Sequence, residues 1–525
     1  MGNFYLKDSA DQKEASFRRL SNYINEVIYP YHPYYRKLFK ENGIKPSDIR
    51  KPSDLSKIPV TYKDDYRPDP IAFIVQPKFP GREAMYDTER IGSMFLAKYL
   101  AQSIFNCPRD FADLYRVNYK EGFAYRKIGR RVALEWNPVH FHASAGSTGD
   151  PTPAVYTHRD LHVPIREAVA AFWSGEEVKW DMRALNIFPG APHLAFFQVL
   201  MGKWLAGSSG FDTFGGNVVP TDRQIQLFQE GGFSALISIP SYLVYWLRKA
   251  VDMVESGKVQ PLEKLFLTLC AAEPLTDSLR KYIKELVVKA GGRDDFRLVQ
   301  GYGMTEMKLA FYECHEESNI HLNPKYFYWE VLDPKTNEPV GEGEPGVLTF
   351  SHIDWRGTTF LRYYTGDLIS GGVKWERCQY CGLTYPIMYP PIMRAKKDFT
   401  KLKGTRVSLM ELVSAVRDTK GVYQFQAILD KEVPGDEFSR DKLVIRLAVQ
   451  DGFGADAVTE DVKKNVKGVT EVTPDEIIVE QDKEKLELEL FERTGIKADY
   501  VVENRPVPCS PRGRESGAGL TRRVQ

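Results

Sequence analysis

A chain of 525 residues, 43% hydrophobic and 27% charged, is too long for one ordinary core, so at least two domains are expected. A net charge of only +1 offers nothing to a polyanion, which argues against nucleic acid or a lipid surface as the partner. No run approaches the ~20 apolar residues that cross a bilayer, the opening MGNFYLKDSADQKEASFRRL is too polar for a secretory leader, and six cysteines cannot frame such a length with disulfides; a cytoplasmic enzyme is the expectation.

The first periodic segment, EASFRRLSNYINEVIYP, sets Phe17, Leu20, Ile24 and Ile28 at helical spacing and predicts a helix that Pro30 stops. From about residue 140 to 350, short apolar strand-like runs alternate with helical ones. FSALISI leads through Pro240, with a cap expected at Ser241, into the amphipathic YLVYWLRKAVDMV. LEKLFLTLC leads into AAEPLTDSLRKYIKELVVKA, with Thr276 as the expected cap and Leu279, Ile283 and Leu286 on one face. The alternation predicts α/β layers around a largely parallel sheet. After about residue 395, YQFQAILDK, DKLVIRLAVQ, a helix near DAVTEDVKKNV and DYVVENRPV read as a small α+β domain.

Three short stretches carry chemistry. SAGSTGDP (Ser144–Pro151) combines tight backbone curvature with N–H and hydroxyl donors and can wrap phosphate oxygens, without the Gly-Lys-Ser/Thr of a Walker loop. Taken alone it reads equally as a surface turn. In VQGYGMTE (Val299–Glu306), Tyr302 can cover a purine face, Thr305 can donate to a phosphate and Glu306 can hold Mg2+. LRYYTGDL then sets Asp367 after a Thr-Gly turn as an acceptor for ribose hydroxyls.

In this order the three stretches resemble the adenylate-forming superfamily of acyl-CoA synthetases, luciferases and peptide-synthetase adenylation domains. YHPYYRKLFKENGIKPSDIRKPSDLSKIPVTYKDDYR narrows the resemblance to the phenylacetate–CoA ligase branch, which also includes synthetases that adenylylate a deazaflavin coenzyme. SIPSYLVYWL and LFLTLCAAEPLTDSLRKYI are similar to the same branch, whereas residues 67–135 read as an elaboration. The resemblance implies an α/β fold with a large N-terminal AMP-binding domain of parallel or mixed sheets and helices over residues 1–395. A small, mobile C-terminal α+β domain over 396–525 would follow a hinge at Asp398.

The resemblance also implies roles. Ser144, Gly146, Ser147, Thr148 and Gly149 would close on the β- and γ-phosphates of ATP. Ala272 and Glu273 would border the adenine, and Gln300, Gly301, Tyr302 and Gly303 would continue that pocket. Thr305 and Glu306 match the catalytic phosphate and Mg2+ residues, and Asp367 the ribose-binding acid. Arg394 would be a second ribose contact, one residue farther from Gly404 than the pattern has it. The implied reaction joins a carboxylate to AMP and passes the acyl group to CoA; an aryl or other apolar acid is expected. The alternatives are another acceptor (a deazaflavin coenzyme, a carrier protein or an amine) or a nucleotide-binding homologue with impaired adenylation. Small molecules are thus the implied partners, and the branch allows a homodimer.

Two departures bear on the phosphate chemistry. Asp150 stands where such loops often carry Lys, and a carboxylate beside a polyphosphate is repulsive by roughly 1 kcal/mol in water-like surroundings at 4 Å. In the tail SGAGLTRRVQ, Leu520 stands where the family places a lysine for the α-phosphate, and Arg512, Arg514 and Arg522 are the candidate substitutes. An apolar side chain cannot stabilise phosphoryl charge, so the tail predicts weakened adenylation.

The other constellation is ECHEESNIHL with ERCQYCGLTY. Cys314, His321, Cys378 and Cys381 make a closed tetrahedral set suited to structural Zn2+, with His315 a rival to His321. Cys107, Cys270 and Cys509 read as buried or incidental thiols. NIFPGAPHLAFFQVLMGKWLAG resembles the segment lining the acyl pocket, which makes His193 and Phe197 candidates there.

Overall fold

A computed structural model describes residues 4–79, 85–105, 132–143, 152–173, 182–190, 194–394, 399–403, 405–433, 436, 439–492 and 498–505. The chain divides into two compact units, Met1–Met393 and Arg394–Gln525.

The first unit begins with the helix Ser9–Tyr23, capped by Asp8, whose carboxylate accepts from the Asp11 N–H at 2.9 Å. Phe17, Leu20, Ile24 and Ile28 are all buried, as their spacing predicts. Pro30 does not stop the helix outright. A wide π turn over Ile24–Ile28 precedes it and the helical course runs on to Tyr31. A wide turn is a place where the missing proline N–H and the crowding of its ring are tolerated.

Strands β1 (Pro138–Ala143) and β2 (Pro153–Thr157) pair antiparallel, with Ala143 opposite Pro153, and so bracket the phosphate-type loop. Next come β3 (Arg183–Asn186), β4 (Ser209–Asp212), β5 (Ala235–Ser238), β6 (Leu267–Cys270), β7 (Arg297–Met304), β8 (Leu309–Tyr312) and β9 (Ile320–His321). β10 (Phe327–Leu332), β11 (Gly346–His352) and β12 (Tyr363–Ile369) pair antiparallel in a second sheet, whose fourth strand, next to β12, comes last in this unit. β13 (Val373–Arg377) and β14 (Thr384–Met388) return to the large sheet, and β15 (Ile392–Arg394) lies at the boundary of the unit. The large sheet runs β13-β14-β9-β8-β7-β6-β5-β3-β4 among the described residues, parallel from β4 to β7 and antiparallel from β7 to β13.

Alternation along the parallel strands builds two apolar faces. Leu185, Leu236, Cys270 and Leu298 pack with side chains of the helices Thr221–Glu230, Pro240–Glu255 and Asp277–Lys289. Met182, Ala235, Leu267, Leu269 and Val299 form a separate apolar cluster. Thr276 caps the helix Asp277–Lys289, its hydroxyl accepting from the Leu279 N–H at 3.3 Å, and Leu279, Ile283 and Leu286 are buried as expected. Ser241 is not a cap. Pro240 already occupies the first helical turn, because its fixed φ suits that position and its absent N–H costs nothing there.

Part of 67–135 is described, and it is tied to the core. The helix Ser93–Phe105 sends Tyr99 to Glu135, the hydroxyl donating to Oε2 at 2.8 Å, while the Trp136 indole N–H donates to Tyr99 at 3.0 Å. Glu135 in turn pairs with the buried Arg356 at 3.0 Å.

In the second unit, β16 (Phe399–Leu402) and β17 (Thr405–Ser408) form a hairpin. β18 (Val422–Lys431), β19 (Asp441–Val449), β20 (Glu476–Val479) and β21 (Val501–Glu503) form a sheet ordered β20-β19-β18-β21. Its central pair is antiparallel and each outer pair is parallel. Leu412 from the helix Leu409–Arg417 and Val458, Val462 and Val466 from the helix Ala455–Thr470 pack on Phe425, Leu443 and Ile445. Among the described residues no helix is long and apolar enough to cross a membrane.

Candidate active site

The glycine-tyrosine-glycine stretch is itself part of a strand. β7 runs through Gly301, Tyr302 and Gly303 to Met304, paired with β8 so that Gly301 faces Tyr312 and Gly303 faces Ala310. A Cβ at Gly301 would lie 2.6 Å from the Tyr312 ring, and one at Gly303 would lie 3.0 Å from the Ala310 Cα. Close approach across the ladder therefore accounts for both glycines. At the other end of this segment, the Gln300 N–H donates to Glu313 at 2.7 Å, and Arg280 holds the same carboxylate with contacts of 2.8 and 2.9 Å.

The chain then turns tightly through Thr305–Met307 and leaves at Lys308, which has φ +60°. Lys308 fixes this turn from below. Its ammonium, fully buried, lies 3.2 Å from Asp160 Oδ2, donates to the Val155 carbonyl at 3.2 Å and sits 4.3 Å above the Trp355 ring. Burial pushes its pKa down to about 8, with Asp160 opposing the shift. Asp160 also accepts from the N–H groups of Thr157, Arg356 and Gly357, which ties β2 and the segment before β12 to the same centre.

Glu306, the middle residue of this turn, is buried, and Lys63 reaches it at 2.9 Å. The approach misses hydrogen-bonding directions, so Glu306 Oε1 is paired in charge but accepts no hydrogen bond from the described residues. A buried, under-satisfied carboxylate oxygen beside a tight turn is chemically suited to a hard cation.

Tyr302 and Asp367, 65 residues apart, meet directly: the phenol donates to Asp367 Oδ2 at 2.7 Å. Gly366, with φ +76°, gives the bend that presents Asp367, and the Thr365 hydroxyl accepts from the Asp367 N–H at 3.0 Å. Ala272 also has a positive φ, +76°, rare for a residue with a Cβ. The adjoining Glu273 takes the N–H and hydroxyl of Ser241 at 3.0 and 2.9 Å, a carboxylate at a helix N-terminus.

His142, near the end of β1, lies against the turn, its Nε2 3.4 Å from the Thr305 carbonyl oxygen. His140 stands edge-to-face with Phe197 at 4.6 Å, and burial lowers its pKa. Nearby, an apolar cavity of about 100 Å3 is lined by Val169, Gln198, Ile237, Leu269, Ala310 and Tyr312, among others. Ser144, Gly146, Ser147, Thr148, Gly149, Asp150, His193, Asp398, Leu520 and the tail arginines lie outside the described residues, as do Cys107 and Cys509. Arg394 is the last residue of β15. Cys270 is a buried free thiol of β6.

Cys314, His321, Cys378 and Cys381 converge, their ligand atoms all within 4.8 Å of one another. Cys314 and Cys378 sulfurs are 3.6 Å apart, and Cys381 Sγ is 3.7 Å from His321 Nε2. A tetrahedron with metal–sulfur distances of about 2.3 Å has edges of roughly 3.8 Å, so the donor set fits a zinc-sized ion. His321 Nδ1 faces the Asn319 carbonyl at 3.0 Å; the carbonyl can only accept, so this contact places the ring proton on Nδ1 and leaves Nε2 to ligate. His315 is excluded from the cluster: its ring stacks on Tyr380 at 4.4 Å and its Nδ1 faces the Glu316 carbonyl. The cluster lies between β9 and the β13–β14 hairpin, linking the segment after β8 to the one after β12.

Of the residues expected at the nucleotide site, Tyr302 and Asp367 are brought into contact and Thr305 and Glu306 share one turn. Lys63, His140, His142 and the Lys308–Asp160 pair were not anticipated. Lys63 lies inside the VTYKDDYR stretch but carries no local signal, and Lys308 follows the motif by two residues and reads as an ordinary surface lysine.

The AMP-binding enzyme family matches residues 127–364. The phenylacetate-coenzyme A ligase of Thermus thermophilus is 28% identical over 404 residues, 75% of this chain and 72% of that protein. The enzyme of the same name from Aromatoleum evansii is 25% identical over 408 residues, 76% of this chain and 72% of that protein. Among solved structures, a 2-hydroxyisobutyryl-CoA ligase in its postadenylation state superposes with a TM-score of 0.69 at 18% identity, covering 95% of this chain and 91% of that one, a likeness of fold. The chain thus carries a region that matches the AMP-binding enzyme family, and over three quarters of its length it is similar to phenylacetate–coenzyme A ligases.

Proposed function

We propose that this protein is an ATP-dependent carboxylate–CoA ligase acting on an aryl or other apolar acid. The observation that carries the reading is the contact of Tyr302 with Asp367, next to the Thr305–Met307 turn that holds Glu306 and that His142 of β1 touches. The apolar lining of the nearby cavity supports an apolar acid.

In this reading the carboxylate oxygen attacks the α-phosphorus of ATP, the bond to pyrophosphate breaks, and acyl-AMP forms. The CoA thiolate then attacks the acyl carbon and AMP leaves with the shared oxygen. Asp367, held at one oxygen by Tyr302, accepts from the ribose hydroxyls, and the Tyr302 ring borders the base. Thr305 donates to phosphate, and Ser144, Gly146, Ser147, Thr148 and Gly149 supply loop donors. Glu306 would hold Mg2+, whose chemistry when bound is to neutralise phosphate charge. His193 and Phe197 are assigned to the acyl pocket, with His140 beside Phe197. Ala272, Glu273, Gln300, Gly301 and Gly303 form the adenine side and Arg394 the second ribose contact. The Cys314, His321, Cys378 and Cys381 set would hold Zn2+ in a closed structural site with no position left for water.

The test is mass-spectrometric detection of AMP and acyl products from a panel of aryl and aliphatic acids with ATP and Mg2+, with and without CoA. AMP with a matching acyl-CoA is the expected result. AMP without thioester would point to another acceptor. AMP from no acid, with thioester still formed from a preformed acyl-adenylate, would mean that Leu520 disables only the first step; silence in both overturns the reading.

A further inference from the structure

We propose that Lys63 is a phosphate-binding residue that holds Glu306 in the nucleotide-free enzyme and transfers to the polyphosphate when magnesium and nucleotide arrive. This rests on the nucleotide reading of the site given above. Lys63 opens the short helix Lys63–Tyr66, whose backbone is fixed on both sides. Just before it, the Thr61 N–H donates to the Arg362 carbonyl at 3.0 Å and the Tyr364 N–H donates to the Thr61 carbonyl at 2.9 Å, which stitches the segment to β12, the strand of Asp367. At its other end the buried Tyr66 donates to the carbonyl of Pro153, the first residue of β2. The helix is thus anchored between β12 and the first residue of β2.

The side chain it presents is 36% exposed, whereas that of Glu306 is 4% exposed. A carboxylate so buried needs a compensating cation, and Lys63 supplies it without a well-formed hydrogen bond. The other ammonium near the turn, Lys308, is sealed against Asp160 and cannot move to a ligand. A divalent cation on Glu306 would take over the charge compensation and release an ammonium on a flexible stem, a point charge suited to phosphate oxygens.

The test measures binding rather than turnover, by calorimetry on the full chain: MgATP, and Mg2+ alone, to the native protein, Lys63→Met and Lys63→Arg. Lys63→Met is expected to weaken MgATP binding by roughly 10-fold to 100-fold while Mg2+ alone binds more tightly, its competitor for Glu306 being gone. Lys63→Met should also lose thermal stability that Mg2+ restores, and Lys63→Arg should keep most of the MgATP affinity. MgATP affinity within twofold of native in Lys63→Met, with unchanged Mg2+ affinity, overturns the proposal. If Lys63→Met does not fold, Lys63→Gln, which keeps the stem and polarity without charge, carries the same expectations. Failure of the native protein itself to bind MgATP would overturn the nucleotide reading, and this inference with it.

Discussion

Replacing Lys308 with Met tests the support beneath the Thr305–Glu306 turn. The ammonium and the Asp160 carboxylate are both fully buried, 3.2 Å apart, and Met fills most of the lysine stem's volume without charge. Removing one partner of a buried pair typically costs about 3–5 kcal/mol. The three N–H groups donating to Asp160 keep it partly compensated, which places the expectation near the lower end, about 3 kcal/mol. Because burial holds the Lys308 pKa at about 8 against 10.5 when free, the unfolded chain binds more protons between those values. Lys308 therefore adds stability as pH rises from 8 to 10.5, by roughly 3 kcal/mol in full, and loses it again as pH falls. Urea unfolding followed by tryptophan emission, to which Trp355 beside Lys308 contributes, gives both quantities. The difference in unfolding free energy between native and Lys308→Met should change across that pH window, and Lys308→Met with Asp160→Asn should recover much of the loss. A single-substitution loss below about 1 kcal/mol, with no change across the window, would refute the account of a charged pair fixing the turn.

Metal analysis of purified protein should find one zinc per chain, lost on Cys381→Ser, and chelation should lower the melting temperature; absence of both effects removes the zinc assignment. Gly301→Ala should destabilise by about 1–3 kcal/mol through the clash with Tyr312, and Tyr312→Leu in the same chain should return part of it. An additive pair of losses in that double-mutant cycle would show that the ring is not the obstacle. Substitution of His193 should change which acids are accepted, read as kcat/KM across the acid panel, and an unaltered preference would move the acyl pocket elsewhere. Leu520→Lys should raise the rate of AMP formation if the tail docks at the phosphates; an unchanged rate would mean that another residue does that work.

The sequence by itself determined the elements whose signals are local. The burial of Phe17, Leu20, Ile24 and Ile28, the Thr276 cap and the αβ alternation all follow from spacing and side-chain chemistry within one turn or strand. It also named Tyr302, Thr305, Glu306, Asp367 and the cysteine set, because those residue types cluster in short motifs. Only the tertiary structure decided how the motifs meet. Which of two histidines joins the thiols is set by register: β9 pairs with β14 so that His321 lies opposite Ile387, next to the hairpin bearing Cys378 and Cys381, while the Tyr380 ring captures His315. Lys63 and Lys308 look alike in sequence, yet one reaches Glu306 from a helix stitched to β12 and the other is sealed against Asp160 beneath the same turn. Such contacts span 148 residues between Asp160 and Lys308 and 65 between Tyr302 and Asp367. No local pattern encodes them, because sheet order and register, which bring distant strands side by side, are fixed only when the whole core packs.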